Sequence, residues 1–391
     1  MKLLSSLENK DLSKETCLLR VDFNIHEKDS NNPRLETALP ALKFLIGKKS
    51  KTLILSHRGS LSKVSSIKYQ ESNYTLKPFA NIISKKLKQK VNFISHAYRQ
   101  TGHLDFLKIS EDIKKSKFGS VFLLENLRFL PGEEKDGEKF AKQLASLGTF
   151  YVNDAFGVCH RKNASISKIV KFLPSYAGFQ LEKEIKNLSS VMKNAKKPLT
   201  IILGGAKISD KIGLIKNFAL KADYFLTGGG IAHNFLLAQG LPIGDSIFEE
   251  STIGFAKKML KNKKVVLPVD YAIDNNKILD IGPNTAKYYS DIIKKSKTII
   301  WNGPMGFIED KKFRKGSEEI FKAILKSKAF SVIGGGETTA IASRVKHQES
   351  RVFLSTGGGA MLKFLAGEKM PGIAALKRAS LAHSIGREAL I

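Results

Sequence analysis

Cysteine is scarce in this chain of 391 residues: there are two, Cys17 and Cys159. Two such isolated thiols supply neither a disulfide framework nor a metal-ligand spacing, so a reducing, cytoplasmic setting is expected. Long apolar runs are missing as well. No stretch approaches the ~18 consecutive apolar residues of a membrane span. The opening MKLLSSLENKDLSKE soon turns charged, and no secretory signal is expected from it. Acidic residues are few, 36 against 65 Lys and Arg, which leaves a formal charge of +29. Arginine is also uncommon, 11 of those 65, so the surplus is a lysine surplus.

What is present is ordinary for a globular protein. Hydrophobic residues make up 42% and charged residues 26%, which excludes wholesale disorder. The length exceeds one usual core of ~100–200 residues and predicts two domains. A charge of this size raises binding to nucleic acid or an anionic surface. The lysine runs 85–90 and 257–264, however, interrupt amphipathic stretches and carry no interleaved aromatics for base stacking. They read as solvated helix faces, and neither a nucleic-acid nor a membrane partner is expected. The same surplus would attract a phosphorylated metabolite.

Short apolar runs alternate with amphipathic stretches of helical length. In the first half the runs are Cys17–Phe23, Thr52–Ser56, Val91–Ile94, Ser120–Leu124 and Thr149–Val152. In the second they are Leu199–Leu203, Tyr224–Thr227, Val265–Val269, Thr298–Trp301, Phe330–Ile333 and Val352–Ser355. Continuous rather than alternating apolar runs suit parallel strands buried on both faces. The pattern predicts an α/β protein with right-handed crossovers. A divider is expected at Phe172-Leu173-Pro174-Ser175, followed by a connecting helix over 181–193. The predicted domains are thus 1–172 and 173–374, with 375–391 as a C-terminal segment.

Ligands of open parallel sheets bind beyond the carboxyl ends of the strands, so the residues after each run matter most. In the first half these are Asp22, Phe23 and Asn24; His57, Arg58 and Gly59; Arg128; and His160 with Arg161, while Arg34 follows the first run. Guanidinium groups bind carboxylate and phosphate bidentately, so several at one sheet edge suit a small polyanion. Asp22 and Asn24 either orient a substrate hydroxyl or cap a turn.

In the second half the strand ends are glycine turns, with Gly205, Gly229, Gly303, the Gly334–Gly336 triplet and the Gly357–Gly359 triplet. Glycine permits close backbone approach, and N–H groups at a following helix start favour phosphate. No G-x-x-x-x-G-K-[ST] occurs, which excludes a P-loop. His233, Thr339 and Leu362 stand where a dinucleotide fingerprint needs its third glycine. Lys207 and Lys211 share a face after one glycine turn. Glu309, Glu337 and Asp270 are the acids placed to meet a ribose or a metal-bound phosphate. An anion pocket in one domain and a nucleotide site in the other suggest phosphoryl transfer across a cleft, which needs positioning and charge neutralisation rather than covalent help.

The motifs RVDFN (20–24), ENLRF (125–129), YVNDAFG (151–157) with His160-Arg161, GGAKISDK (204–211), TGGG (227–230), LPVD (267–270), DIGP (280–283), WNGP (301–304), GGGET (334–338), STGGGA (355–360) and MPG (370–372) follow one another in this order. Together they resemble the phosphoglycerate kinase family. The resemblance implies two Rossmann-like domains, each a parallel β-sheet flanked by helices, joined by a hinge helix with a cleft between. It also implies that residues 375–391 return to the N-terminal domain, and that the chain is a cytoplasmic monomer acting in glycolysis or gluconeogenesis. The implied reaction is reversible phosphoryl transfer between ATP and the carboxylate of 3-phosphoglycerate, giving 1,3-bisphosphoglycerate and ADP, with Mg2+.

By the same resemblance, Asp22, Phe23, Asn24, Arg34, His57, Arg58, Gly59, Ser60, Arg128, His160 and Arg161 would surround the glycerate substrate. Arg34, Lys207 and Lys211 would be catalytic. Gly205, Lys207, Lys211, Gly229, Asn302, Glu309, Gly335, Gly336, Glu337, Thr338 and Gly358 would hold the nucleotide, with Glu337 toward Mg2+. The pattern departs from the family at three places. Ser60 replaces an arginine of H-x-G-R-P, with Arg58 two residues earlier as the candidate substitute. Glu337 replaces an aspartate after the triple glycine. The stretch Lys377–Ile391 matches no family motif.

Overall fold

A computed structural model describes residues 1–59, 73–95, 104–344 and 350–388. The chain divides into two compact units, Met1–Glu184 together with Lys369–Ile391, and Ile185–Glu368. The division falls inside the helix Phe179–Lys193 and not at 172/173.

The first unit is built on six parallel strands: β1 Thr16–Arg20, β2 Lys51–Leu55, β3 Val91–Ile94, β4 Val121–Leu124, β5 Phe150–Asn153 and β6 Ser175–Ala177. Their order is β3-β4-β2-β1-β5-β6. β4 and β5 are buried along their whole length, so helices on both faces exclude water and the continuous apolar runs are accounted for. The covering helices start and stop by local chemistry. Asp105 accepts the N–H of Lys108 to open Phe106–Lys115, and Lys77–Leu87 carries proline in its first turn and ends at Lys88 in the left-handed region. Phe23 and Phe79 stack in the core with centroids 5.7 Å apart.

The second unit repeats the plan with β7 Leu199–Leu203, β8 Tyr224–Thr227, β9 Val265–Val266, β12 Thr298–Asn302, β13 Phe330–Gly334 and β14 Val352–Ser355, in the order β14-β13-β12-β7-β8-β9. A separate antiparallel hairpin, β10 Tyr271–Asp274 with β11 Lys277–Ile281, is inserted after β9. Trp301 is fully buried, its ring centroid 6.4 Å from that of Phe321. In each sheet the chain leaves a central strand in one direction and later returns to its other flank. The switch points are β1/β5 and β7/β12, where α/β sheets open a crevice for ligands.

Three strands differ from expectation. The proposed divider leads directly into β6, which pairs with β5 as the edge of the first sheet; its Ser175-Tyr176-Ala177 is too short and mixed to show a period. The β10/β11 hairpin turns at Asn275 and Asn276, both at positive φ, and this Asn-Asn pair between strands was the available signal. The helix Pro371–Glu388 packs on β6 and on the helical turn Ala164–Lys168, and the N–H of Gly372 donates to Cys159 O at 2.9 Å.

Candidate active site

In the first unit the site grows from the ends of β1, β2, β4 and β5. Arg20, the last residue of β1, is buried, yet its guanidinium is fully engaged. It donates to Ser165 Oγ at 3.0 Å and to His57 Nδ1 at 3.2 Å, and lies 3.9 Å from Glu133. Ser165 in turn donates its N–H and hydroxyl to Glu133. Arg34 meets Asp22 at 3.4 Å and donates to Asn24 O at 3.1 Å. Asn24 Oδ1 accepts the N–H of Gly59 at 2.8 Å, tying the loop after β1 to the loop after β2. Arg128 donates to Gly59 O and pairs with Glu134 at 3.3 Å, and Arg161 contacts His160 at 3.4 Å.

Electrostatics show that these groups share one place. Burial, followed by the charges of Arg20, Arg128, Arg34 and Arg161, pushes His57 well below its ordinary range. Burial and then Arg161 bring Arg128 down to about 10, still cationic at neutral pH. A neutral histidine among four guanidinium groups leaves a strong positive potential that a bound polyanion would neutralise.

Two expected residues sit elsewhere. The Phe23 side chain is in the core, because alternate residues at a strand end face opposite sides. Arg58 is buried with its guanidinium 5.6 Å from the Phe79 ring centroid, donating to Ile25 O and paired with Glu27 at 3.2 Å. It is committed to the loop after β1 and is no substitute for an arginine at position 60. Ser60 itself lies outside the described residues. Arg20 was missed as a member of the site, because a strand-internal arginine reads as part of a motif until its burial is seen.

In the second unit the turns after β7 and β12 touch. A Cβ on Gly303 would lie 2.0 Å from Gly204 O, so no other residue fits there. The N–H groups of Gly205 and Gly229 donate to Pro304 O and Met305 O. Those two glycines therefore shape the turns, and their N–H groups are already used within the protein. Asn302 and Thr338 are likewise internal: Asn302 Nδ2 donates to Gly334 O at 2.9 Å, and Thr338 Oγ1 accepts the N–H of Gly303 at 3.0 Å. Asp270 accepts from Asn284 N, Thr285 N and Thr285 Oγ1 at the start of the helix Pro283–Lys295 and is a cap.

Beside these turns opens a pocket of about 610 Å³. Gly205, Gly229, Glu309 and Glu337 line it, as expected, and so do Ile247, Ile278, Leu279, Phe307 and Phe313, which sequence reasoning did not single out. Lys207, Lys211, Gly335, Gly336 and Gly358 occupy turns and helix starts at the ends of β7, β13 and β14. Burial lowers Lys211 against the pull of Asp210 and Glu337, while burial and Glu309 raise Glu337 against Lys211. Lys211, Glu309 and Glu337 therefore form one charged cluster. Among the described residues no group of three or more His, Cys, Asp or Glu could hold a metal ion. A cation there would need ligands from a bound phosphate, which is how magnesium usually sits.

A guanidinium-lined anion site at one switch point and an apolar, glycine-turned pocket with lysine and carboxylate at the other define a phosphotransferase of the two-sheet α/β class. The chain belongs to the phosphoglycerate kinase family, whose model matches residues 7–368. It is 40% identical to the phosphoglycerate kinase of Pseudothermotoga lettingae, over 94% of this chain and 97% of that protein. It is 39% identical to that of Wolbachia pipientis wMel, over 96% and 99%. The crystal structure of phosphoglycerate kinase from Pyrococcus horikoshii OT3 superposes with a TM-score of 0.84 at 32% identity, covering 97% of this chain and 99% of that one. The structure from Coxiella burnetii does so with a TM-score of 0.77 at 33% identity, covering 95% and 98%.

Proposed function

We propose that the chain catalyses reversible phosphoryl transfer between ATP, as its magnesium complex, and the carboxylate of 3-phosphoglycerate, within glycolysis or gluconeogenesis. The observation that carries this reading is that the chain matches its family in both units, with Arg34, His57, Arg128 and Arg161 following strands β1, β2, β4 and β5 of the first. The first unit takes the glycerate substrate. Arg34, Arg128, Arg161, His57 and His160 meet its charges, while Asp22 and Asn24 hold Arg34 and the loops in place. The second unit takes the nucleotide: the apolar pocket receives the base, Glu309 the ribose, and Lys207 and Lys211 the phosphates. Glu337 faces the magnesium that the phosphates carry.

The acceptor is already an ionised carboxylate, so no general base is required. Arg34 neutralises charge on the phosphoryl group in flight, the role an arginine finger plays in other phosphoryl transfers. The helix Phe179–Lys193 connects the units and is proposed as the hinge. A monomeric, cytosolic enzyme acting on small molecules fits the family. Among the described residues no helix is long and apolar enough to cross a membrane.

A coupled assay of ATP- and Mg-dependent phosphorylation of 3-phosphoglycerate tests the proposal. Turnover is expected, and Arg34→Ala should lower kcat by about 10³-fold or more. The chain should stay folded, since Arg34 lies after β1 with 26% of its side chain exposed, outside the hydrophobic core. Absence of turnover in the parent protein would overturn the reading.

A further inference from the structure

Glu133 and Glu134 are consecutive residues of the short helix Pro131–Glu134, and each meets a different arginine of the first unit. Glu133 is fully buried; its carboxylate accepts the N–H and the hydroxyl of Ser165 and lies 3.9 Å from Arg20. Glu134, with 40% of its side chain exposed, lies 3.3 Å from Nε of Arg128. Successive side chains on a helical turn point roughly 100° apart. One turn therefore supplies the counter-ions of two guanidinium groups. The proposed reaction uses Arg128 and gives Glu134 no part.

That turn is a firm anchor. Pro131 pre-sets its first residue, and the N–H of Gly137 closes on Gly132 O at 2.9 Å. The bonds from Ser165 to Glu133, and from Asn163 Nδ2 to Glu133 O at 3.4 Å, tie it to the neighbouring turn Ala164–Lys168. Arg128 needs such an anchor, because it is buried among other cations. Burial, Arg161 and Arg20 work against its charge, while Glu134 and then Glu133 support it. With Nε beside Glu134 and Nη1 donating to Gly59 O, the guanidinium plane is held at two points. Its third nitrogen, Nη2, has no partner among the described residues.

We propose that Glu134 is a positioning residue for substrate binding, which holds Nε of Arg128 so that Nη2 is presented to an anionic group of the glycerate substrate. This rests on reading the first unit as the 3-phosphoglycerate site. Glu134 acts through Arg128, and the sign of its effect shows it. A carboxylate near the site repels a bound anion directly, so by charge alone its removal would tighten binding. Positioning predicts the reverse: without Glu134 the neighbouring cations push the guanidinium away, and the substrate must order it again on binding.

Steady-state kinetics of the full chain with 3-phosphoglycerate and Mg-ATP separate the two effects. Glu134→Ala should raise KM for 3-phosphoglycerate about tenfold, with kcat changing less and KM for ATP staying within about twofold. Glu134→Gln, which keeps an acceptor for Nε but loses the charge, should fall between the parent and Glu134→Ala, and serves if the Ala variant does not fold. In an Arg128→Met background, Glu134→Ala should change KM for 3-phosphoglycerate by less than about twofold, since no guanidinium is left to hold. An unchanged or lowered KM in the folded single variant overturns the assignment while leaving the substrate site standing. So does a rise shared equally by both substrates, or one that persists without Arg128. Failure of the parent protein to turn over 3-phosphoglycerate overturns the reading of the site and the assignment with it.

Discussion

The guanidinium of Arg20 donates to Nδ1 of His57 at 3.2 Å, both side chains being buried. Arginine has no acceptor, so the contact fixes the tautomer: Nδ1 is bare, and in the neutral ring Nε2 carries the hydrogen. That Nε2 faces Asp22 at 4.0 Å, on the same carboxylate that holds Arg34. Arg20 is itself fixed by Ser165 and Glu133. A line of buried polar contacts thus runs from the helical turn at Ser165, through β1, to the group that presents an N–H donor at the anion site. His57 supplies direction without adding a further charge to the guanidinium cluster.

The first prediction follows from that tautomer. Burial and four neighbouring cations drive His57 well below its usual range, so it should hold no extra proton between about pH 6 and 8, where an ordinary histidine titrates near ~6.5. Nitrogen-15 spectra of the histidine side chains should show one ring with Nδ1 unprotonated and Nε2 protonated across this interval. If instead the ring at position 57 titrates with a midpoint near 6.5, the positive cluster is not as close as described.

A second prediction concerns the arginine absent from position 60. Since Arg58 is taken up by Glu27, Ile25 O and the face of Phe79, it is not free to reach a substrate phosphate. Ser60→Arg should therefore tighten 3-phosphoglycerate binding by about tenfold, the value of one added charge-assisted contact. Arg58→Met should act mainly on stability, by losing the stack on Phe79 and the bond to Ile25 O. A large loss of substrate affinity in a well-folded Arg58→Met protein would show that this guanidinium serves the substrate after all.

The plan of the two sheets was legible because strands buried on both faces leave unbroken apolar runs such as Val121–Leu124 and Thr298–Trp301. The short edge β6 and the β10/β11 hairpin carry no such run, the hairpin because β10 is half exposed and ends in exposed residues. At the site, charged residues at strand ends were readable by type: of the expected arginines, Arg34, Arg128 and Arg161 act on His57 and Arg58 does not. What a motif could not tell was direction. Phe23 turns into the hydrophobic core, while Arg58, Asn302, Thr338 and Asp270 are each drawn to a nearby backbone group that needed a partner. Arg20 escaped for the opposite reason: its importance lies in being buried, which no spacing records.

The last prediction comes from Asp154, which follows β5 and meets the first turn of the helix Phe179–Lys193. Its Oδ1 accepts the N–H of Leu181 at 3.0 Å, and Gly178 leaves room for the carboxyl, since a Cβ there would lie 2.4 Å from Asp154 Cγ. Oδ2 has no hydrogen-bond partner among the described residues. Burial, only partly opposed by the N–H groups of Leu181 and Gln180, pushes the carboxyl up to about 7 from its ordinary 3.8. Between those values the folded chain keeps a proton that the unfolded chain releases. The contribution of Asp154 to stability is therefore full below pH ~4 and is lost as pH rises toward 7, with a limiting slope of ~1.4 kcal/mol per pH unit. Asp154→Asn keeps an acceptor for Leu181 and replaces a buried O–H by a buried N–H, but cannot ionise. Urea titrations should find it more stable than the parent protein at pH 8 by ~2–4 kcal/mol, with the gap shrinking toward pH 5. A gap that is constant with pH, or that widens as pH falls, would mean that Asp154 is ionised at neutral pH and satisfied by a partner.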